Sequence, residues 1–283
     1  MGRGVELATE TIFLAEPNAD VQAVYPEYKS WYEAARPILE QYCKVVSLIL
    51  PDIWVRDFLP LQNRKSGKLY QPLYYPSFRP RTLDSDYAKC REAARKYFPD
   101  AEPMPMIRLD GGNLIVNDNG LAFAIFNKAM YQPEQGREIE SALKAALDIS
   151  EFQWLPELPR SSDPFGHVDG FGNFLGNDTI VTSISQSASE REAALHHESV
   201  TRVQAHGIKC EIIKTETDVL YGNFLETEKA VFVPTYNIPD DETAMQVFKA
   251  NTDKPVIGID CEAIACHGGS LHCLTKELKR NEQ

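Results

Sequence analysis

The chain has 283 residues, of which 43% are hydrophobic and 25% are charged, and its formal net charge is −12 at pH 7. This is the composition of a globular protein with enough apolar material for a core, in one large domain or two small ones. The acidic excess argues against nucleic acid and against a membrane as partners, because either would require a basic surface. It is compatible with a small cationic ligand.

The N-terminus contains no apolar segment typical of a signal peptide, and no apolar run approaches the ~18 residues of a membrane helix. Six cysteines are scattered along the chain without Cys-x-x-Cys pairs. This pattern is typical of a reducing compartment rather than of a disulfide framework. We therefore expect a cytoplasmic protein.

Taken in chain order, the hydrophobic pattern predicts hairpins, helices and short strands in succession. Helices are predicted at 27–43, 84–98, 133–147, 189–205 and 239–251. Short strands are predicted after helices at 45–50, 149–154, 208–213 and 256–260. Hairpins are predicted at 114–124, 174–182 and 224–234, the first with an Asn-Gly turn at Asn119. The recurring unit is therefore ββαβ.

Short Gly-Asn-apolar steps precede the hairpins at Gly112, Gly172 and Gly222, and a variant step follows at Gly269, at intervals of 47 to 60 residues. A period in this range is typical of a propeller or a solenoid. The sequence thus predicts an α/β fold with about five ββαβ units around a centre, and residues 1–283 as a single domain. The alternative is an α/β sheet in which Gly-Asn turns recur by chance.

Side chains suited to catalysis lie on these steps or in similar turns. They are Asp57, in a Trp-Val-Arg-Asp sequence from Trp54; Asp110, in an Asp-Gly-Gly-Asn sequence that ends at Asn113; His167 and Asp169, in a Gly-His-Val-Asp-Gly sequence; and Cys273, after Gly-Gly-Ser-Leu-His. A propeller would bring these turns together at its axis, and on a strand His167 and Asp169 would share one face.

A thiol, a histidine and several carboxylates suit chemistry on a guanidinium group. Carboxylates bind this planar cation by paired hydrogen bonds, which leaves the face of its carbon open to a nucleophile. A thiolate attacks well near neutral pH when a nearby cation lowers its pKa. A histidine can protonate the leaving amine and then deprotonate water. The predicted reaction is deimination, with no cofactor and no metal.

Each assignment has a structural alternative. A buried thiol is the alternative for Cys273, and a core histidine for His167. Asp57 has the alternative of pairing with Arg56 or capping a turn, and Trp54 that of ordinary core packing.

Two further histidine patterns receive no function. The cysteines and histidines between Cys261 and Cys273 lack the spacing of a common zinc site. His196 and His197 lie among glutamates of a predicted helix, for which we expect a solvated face.

The ordered motifs between residues 50 and 276 resemble the agmatine deiminase and Porphyromonas-type peptidyl-arginine deiminase family. That family belongs to the guanidine-modifying enzymes with the five-bladed α/β propeller (pentein) fold of pseudo-fivefold symmetry. The resemblance implies Cys273 as the nucleophile and His167 as the acid and base. It implies Asp57 and Asp169 as guanidinium ligands, with Trp54 near the substrate. Asp110 matches a carboxylate, usually glutamate, that supports the histidine, and Asn113 is placed with the substrate-binding residues.

The expected function is hydrolysis of agmatine to N-carbamoylputrescine and ammonia through a covalent thiouronium on Cys273. Deimination of peptidyl-arginine or of free arginine is the alternative within the same chemistry. A non-catalytic guanidinium-binding propeller and an amidinotransferase are alternatives of other classes. The expected partner is a small cationic guanidine, and self-association as a homo-oligomer is open.

Overall fold

The computed structural model describes residues 10–75, 84–126, 128, 131–159 and 165–279. Its strands are β1 (Thr11–Ala15), β2 (Lys44–Leu48), β3 (Leu61–Gln62), β4 (Leu69–Leu73), β5 (Glu102–Arg108), β6 (Ile115–Val116), β7 (Leu121–Ile125), β8 (Glu151–Leu155), β9 (Gly172–Leu175), β10 (Thr179–Ser185), β11 (Lys209–Thr215), β12 (Leu225–Glu226), β13 (Val231–Thr235), β14 (Val256–Asp260) and β15 (Lys276–Leu278).

The helices are α1 (Ala19–Val24), α2 (Tyr28–Leu39), α3 (Val55–Phe58), α4 (Asp84–Tyr97), α5 (Pro133–Leu147), α6 (Val168–Phe171), α7 (Glu190–Gln204), α8 (Asp240–Ala250), α9 (Glu262–Ala265) and α10 (Leu271–Leu274). A short 3₁₀ turn covers Gly111–Asn113. Within the described segments, no helix is long and apolar enough to cross a membrane.

Contacts between Cα atoms divide the chain into two compact units. Unit 1 comprises residues 1–111, 129–150 and 273–283, and unit 2 comprises residues 112–128 and 151–272. The prediction that residues 1–283 form a single catalytic domain stays a prediction.

Unit 1 contains two three-stranded sheets within its described residues. In one sheet, β1 lies between β15, with which it is antiparallel, and β2, with which it is parallel; Ile12 stands opposite Glu277 and Val45. In the other, β4 lies between the antiparallel β3 and the parallel β5. The last strand of the chain therefore completes the sheet begun by the first.

Unit 2 contains three sheets of the same kind in its described part, in the orders β6-β7-β8, β9-β10-β11 and β12-β13-β14. Each central strand is antiparallel to the strand before it and parallel to the strand after it, as when Ile180 of β10 stands opposite Phe174 and Cys210. An antiparallel neighbour needs only a tight turn, whereas a parallel neighbour needs a crossover helix. This pairing confirms the predicted ββαβ unit.

Two of the central strands are buried along their whole length. All five residues of β1 and all five of β7 are buried, as expected for strands covered on both faces. The hairpin between β6 and β7 turns through Gly120, whose φ of +81° lies in the left-handed region that glycine tolerates. The predicted Asn-Gly turn is confirmed.

The long helices begin where side chains can satisfy their first backbone N–H groups. In α5, Pro133 lies in the first turn after a capping box formed by Gln132 and Gln135. In α7, the Ser189 side chain accepts a hydrogen bond from the Glu192 backbone N–H at 3.2 Å. The predicted helices agree with the structure to within a few residues, and the 133–147 helix agrees at both ends.

The sequence prediction omitted β1, β3, β4, β5 and β15. Strand β5 contains Pro103 and Pro105 and is largely exposed at the edge of its sheet, so it lacks an alternating pattern. Strand β15 has only three residues, and its partner β1 lies at the other end of the chain. Neither strand carries a local signal strong enough to predict it.

Candidate active site

In unit 1, the short helix α3 carries Asp57. Trp54 precedes the helix, and its indole N–H donates to the Tyr25 hydroxyl at 3.0 Å, with the two rings edge to face at 6.0 Å. Both Trp54 and Asp57 are buried, each 8% exposed. The indole N–H of Trp54 is thus hydrogen-bonded to Tyr25, just before α3 begins. The predicted contact of Trp54 with substrate stays a prediction.

A bidentate ion pair joins α3 to β15. The guanidinium of Arg56 donates from Nη1 to Glu277 Oε1 at 3.1 Å and from Nη2 to the second carboxylate oxygen. Arg56 is 3% exposed. Glu277 on β15 supplies a carboxylate that pairs with the buried Arg56. The burial of Arg56 therefore does not require Asp57 as its partner.

The turn that carries Asp110 lies directly against α3. A Cβ atom on Gly111 would lie 2.1 Å from the Arg56 carbonyl oxygen and 3.6 Å from the Asp57 Cα. Only glycine permits this approach of two backbones. The Asp-Gly-Gly sequence is thus explained by packing, and the structure brings Asp57 and Asp110 to neighbouring positions.

Tyr74 shares this acidic region. Burial raises the pKa of its hydroxyl well above 10, and the carboxylates of Asp57, Asp52 and Asp110 raise it further. Tyr74 and Asp110 are each 1% exposed. Asp52 and Tyr74 were not predicted from the sequence, because neither lies in one of the motifs that carry the candidate residues.

The C-terminal segment of unit 1 begins at Cys273, which lies in the helical turn α10 and is 8% exposed. Three residues later, Lys276 is 5% exposed. Burial is the main reason that its pKa falls from 10.5 to about 7; Arg56 lowers it further, and Glu277 and Asp57 oppose the fall. A buried amine was not anticipated from the sequence.

In unit 2, Asn113 joins two elements by backbone contacts. Its Oδ1 accepts from the N–H of Ile125 at 2.8 Å and from that of Val168 at 3.2 Å, and its Nδ2 donates to the Ile125 carbonyl at 2.9 Å. These bonds fix the start of α6 against the end of β7. They account for this buried asparagine structurally, and a direct contact with substrate stays a prediction.

His167 and Asp169 lie at the start of α6. His167 is the N-cap of this helix and Asp169 lies in its first turn. The expectation of a strand here was wrong, because a four-residue helix shows no hydrophobic period and the flanking glycines are equally common in hairpins. Both residues are buried, with exposures of 5% and 1%.

The glycine turns of unit 2 pack beside α6. A Cβ on Gly268, which has a φ of +86°, would lie 2.5 Å from the Phe165 ring, two residues before His167. A Cβ on Gly222 would lie 2.8 Å from the Gly172 Cα at the end of α6. Two of the predicted repeat steps therefore meet at one place.

Asp169 is engaged by a histidine that the prediction did not assign. His272 Nδ1 lies 2.8 Å from Asp169 Oδ2, and both side chains are almost fully buried. Asn223 holds the backbones of both residues: its Nδ2 donates to the Asp169 carbonyl at 3.0 Å, and its carbonyl accepts from the His272 N–H at 3.0 Å. His272 was visible in the sequence only as the residue before Cys273.

The expectation of a solvated His196 was wrong. Its Nε2 lies 2.9 Å from the Thr182 hydroxyl, which itself donates to the Phe171 carbonyl, so the ring nitrogen is the donor. His196 is 6% exposed. Burial, and to a smaller extent the neighbouring His197, lowers its pKa from 6.5 to about 4.

The chain matches the model of the family described as Porphyromonas-type peptidyl-arginine deiminase over residues 8–278. A Latilactobacillus sakei protein provisionally named an agmatine deiminase is 23% identical over 87% of this chain and 80% of its own length. The C. jejuni agmatine deiminase structure superposes with a TM-score of 0.78 at 18% identity, over 98% of this chain and 95% of that one.

A more distant structure has the same fold. DDAH from Pseudomonas aeruginosa, a cysteine-to-serine variant complexed with citrulline, has a TM-score of 0.66 at 11% identity and covers 95% of this chain and 99% of that chain. The α/β fold of small three-stranded sheets is therefore shared with agmatine deiminase and with DDAH.

Proposed function

Because the chain belongs to the Porphyromonas-type peptidyl-arginine deiminase family of C–N hydrolases, we propose that it is a guanidine deiminase that converts agmatine to N-carbamoylputrescine and ammonia. One observation carries the proposal: the family match spans residues 8–278 and so includes every residue to which we assign chemistry. The agmatine deiminases among its relatives favour agmatine as the substrate.

In the proposed reaction, the carboxylates of Asp57 and Asp169 hold the guanidinium, and the Cys273 thiolate attacks its central carbon. The C–N bond to an unsubstituted nitrogen breaks, and His167 donates the proton with which ammonia leaves. The S-alkylthiouronium on Cys273 then receives water, whose proton His167 accepts. The C–S bond breaks, and the ureido product leaves with the thiolate restored.

Asp110 has a supporting role in this proposal. A carboxylate that accepts from a histidine N–H fixes the tautomer and stabilises the imidazolium formed during proton transfer. The aspartate stands where the family usually has glutamate, so its reach is one methylene shorter. No step of the reaction requires a cofactor or a metal.

Solved relatives support a thiol nucleophile. The C. jejuni agmatine deiminase has been solved as a cysteine-to-serine variant with substrate bound. Cys273 is the cysteine on the glycine-rich step that resembles the family motif. The other five cysteines, of which Cys266 is exposed, have no such context.

The test is ammonia release from agmatine, arginine and a blocked arginine peptide by purified protein. We expect turnover of agmatine, with loss of at least about 100-fold in kcat for His167→Ala and no turnover for Cys273→Ser. Activity on the peptide alone would replace agmatine by peptidyl-arginine, the alternative that the family description favours. Full activity of Cys273→Ser would refute the covalent mechanism.

The finer fold assignment belongs to the same proposal. Five ββαβ-type sheets among the described residues, and the pairing of the last strand with the first, support a closed five-bladed propeller.

No disulfide joins the six cysteines, all of which are described, which supports a cytoplasmic location. A homo-oligomer remains a prediction that light scattering would test.

A further inference from the structure

His272 and Asp169 form a deeply buried histidine–carboxylate pair. Their side chains are 6% and 1% exposed, and Nδ1 lies 2.8 Å from Oδ2. A second histidine–carboxylate pair in unit 2, His206 Nδ1 with Glu151 Oε2 at 2.9 Å, has a carboxylate that is 64% exposed. Burial of a carboxylate is costly unless hydrogen bonds compensate it, so the hydrogen bond from His272 offsets part of the cost of burying the Asp169 carboxylate.

Asn223 holds the backbones of His272 and Asp169 in place by hydrogen bonds. Its side-chain amide donates to the Asp169 carbonyl and its own carbonyl accepts from the His272 N–H, each at 3.0 Å. Both backbones are thus tied to one residue. The ring and the carboxylate meet at a set distance, although 103 residues separate them.

The hydrogen bond determines the orientation of the carboxylate. The terminal torsion of an aspartate is broad, and a bond from one ring N–H to Oδ2 restricts it. An ionised carboxylate has about four lone-pair positions, so it accepts this bond and can also accept from a guanidinium. Paired contacts to guanidinium need the carboxylate in a particular plane. A ring N–H of His272 that donates to Oδ2 sets that plane.

We propose that His272 is a positioning residue for the substrate. Its Nδ1–H holds the Asp169 carboxylate in the plane in which Asp169 receives the guanidinium. This inference rests on the proposed function, because it takes a guanidine as the ligand of Asp169. It assigns to His272 a role that differs from the acid–base role of His167.

Two amide substitutions identify the atom responsible. Asparagine places its Nδ2 donor where histidine has Nδ1, whereas glutamine places its donor where histidine has Nε2. We expect His272→Asn to keep the contact with Asp169 and His272→Gln to lose it. Both substitutions remove the ring and keep a polar amide, so packing changes alone predict similar effects.

The experiment measures agmatine affinity by titration calorimetry in a Cys273→Ser background, where no turnover occurs. We expect His272→Gln to weaken binding by about 10- to 100-fold, the range for a lost hydrogen bond to a charged group. We expect His272→Asn to bind within about 3-fold of the parent. His206→Gln, which breaks the exposed pair of similar length, is the matched control and should leave binding unchanged.

Equal affinities of the asparagine and glutamine variants would overturn the inference, and so would a loss in the His206→Gln control as large as that in His272→Gln. A ring N–H signal in nitrogen-edited NMR that disappears in Asp169→Asn would support it without substrate. The absence of such a signal would overturn it even if both variants bound poorly. Failure of wild-type protein to release ammonia from any guanidine would instead refute the proposed function.

Discussion

Lys276→Met tests how strongly the buried amine opposes folding. The lysine is 5% exposed, and its pKa in the folded protein is about 7 against 10.5 in the unfolded chain. Burial is the largest cause, and the guanidinium groups of Arg56 and Arg64 add to it. Methionine has a similar length and no charge, so the substitution removes the titrating group and keeps most of the packing.

The pH dependence follows from proton linkage. Between pH 7 and 10.5 the unfolded chain holds a proton on Lys276 that the folded protein lacks, so stability rises with pH in this window. Below about pH 7 both states are protonated, and the full penalty applies. A shift of about 3.5 units at 1.36 kcal/mol each corresponds to about 5 kcal/mol, an upper bound for the gain from Lys276→Met. Above about pH 10.5 the penalty is absent.

The assay is urea unfolding of both proteins at pH 6, 7.5, 9 and 10. We expect the variant to be more stable by a few kcal/mol at pH 6, with the difference shrinking by about 1.4 kcal/mol per pH unit above pH 7. Lys29→Met is the matched control, because Lys29 and its ion-pair partner Glu33 are both more than half exposed and its loss should change stability by under about 0.5 kcal/mol. A Lys276→Met difference that does not vary with pH would refute the reasoning.

Three further predictions concern stability, each measured by urea unfolding. Gly111→Ala should lower the free energy of unfolding by at least about 3 kcal/mol, because its Cβ would lie 2.1 Å from a backbone oxygen. The control Gly170→Ala, whose Cβ would have nothing within 4 Å, should be nearly neutral. Equal losses of stability in the two variants would contradict the packing argument. His196→Gln keeps the Nε2 donor and removes a group whose pKa falls from 6.5 to about 4. Wild type should therefore lose up to about 3 kcal/mol relative to this variant from pH 6.5 to 4, and parallel pH curves would contradict this. Arg56→Leu should cost about 3 kcal/mol by leaving Glu277 without its bidentate partner, and an unchanged midpoint would show that the pair is dispensable.

Local signals in the sequence were sufficient for most helices and hairpins. The 133–147 helix has proline in its first turn and apolar residues at helical spacing. The Asn-Gly pair before β7 is a strong signal for a hairpin turn. His196 carried a signal that was overlooked. It lies four and seven residues before Val200 and Val203, on the buried face of α7, but its glutamate neighbours suggested exposure.

Long-range contacts were beyond the reach of pattern analysis. The pairing of β1 with β15 and the contact of His272 with Asp169 join distant parts of the chain. Neither contact produces a hydrophobic periodicity in the sequence, because each depends on a few residues in short elements. The candidate residues themselves were found from turn motifs and residue chemistry, whereas their hydrogen-bond partners were found only in the structure.

The central claim is that Cys273 is the nucleophile, and mass spectrometry after treatment with a haloacetamidine tests it most directly. The reagent carries an amidinium cation beside a carbon from which a thiolate displaces halide, so a C–S bond forms and halide leaves. We predict one adduct, mapped to Cys273, that agmatine prevents and that forms more slowly in Asp169→Asn. Labelling of the exposed Cys266 with Cys273 unmodified, or labelling that agmatine does not slow, would contradict the account.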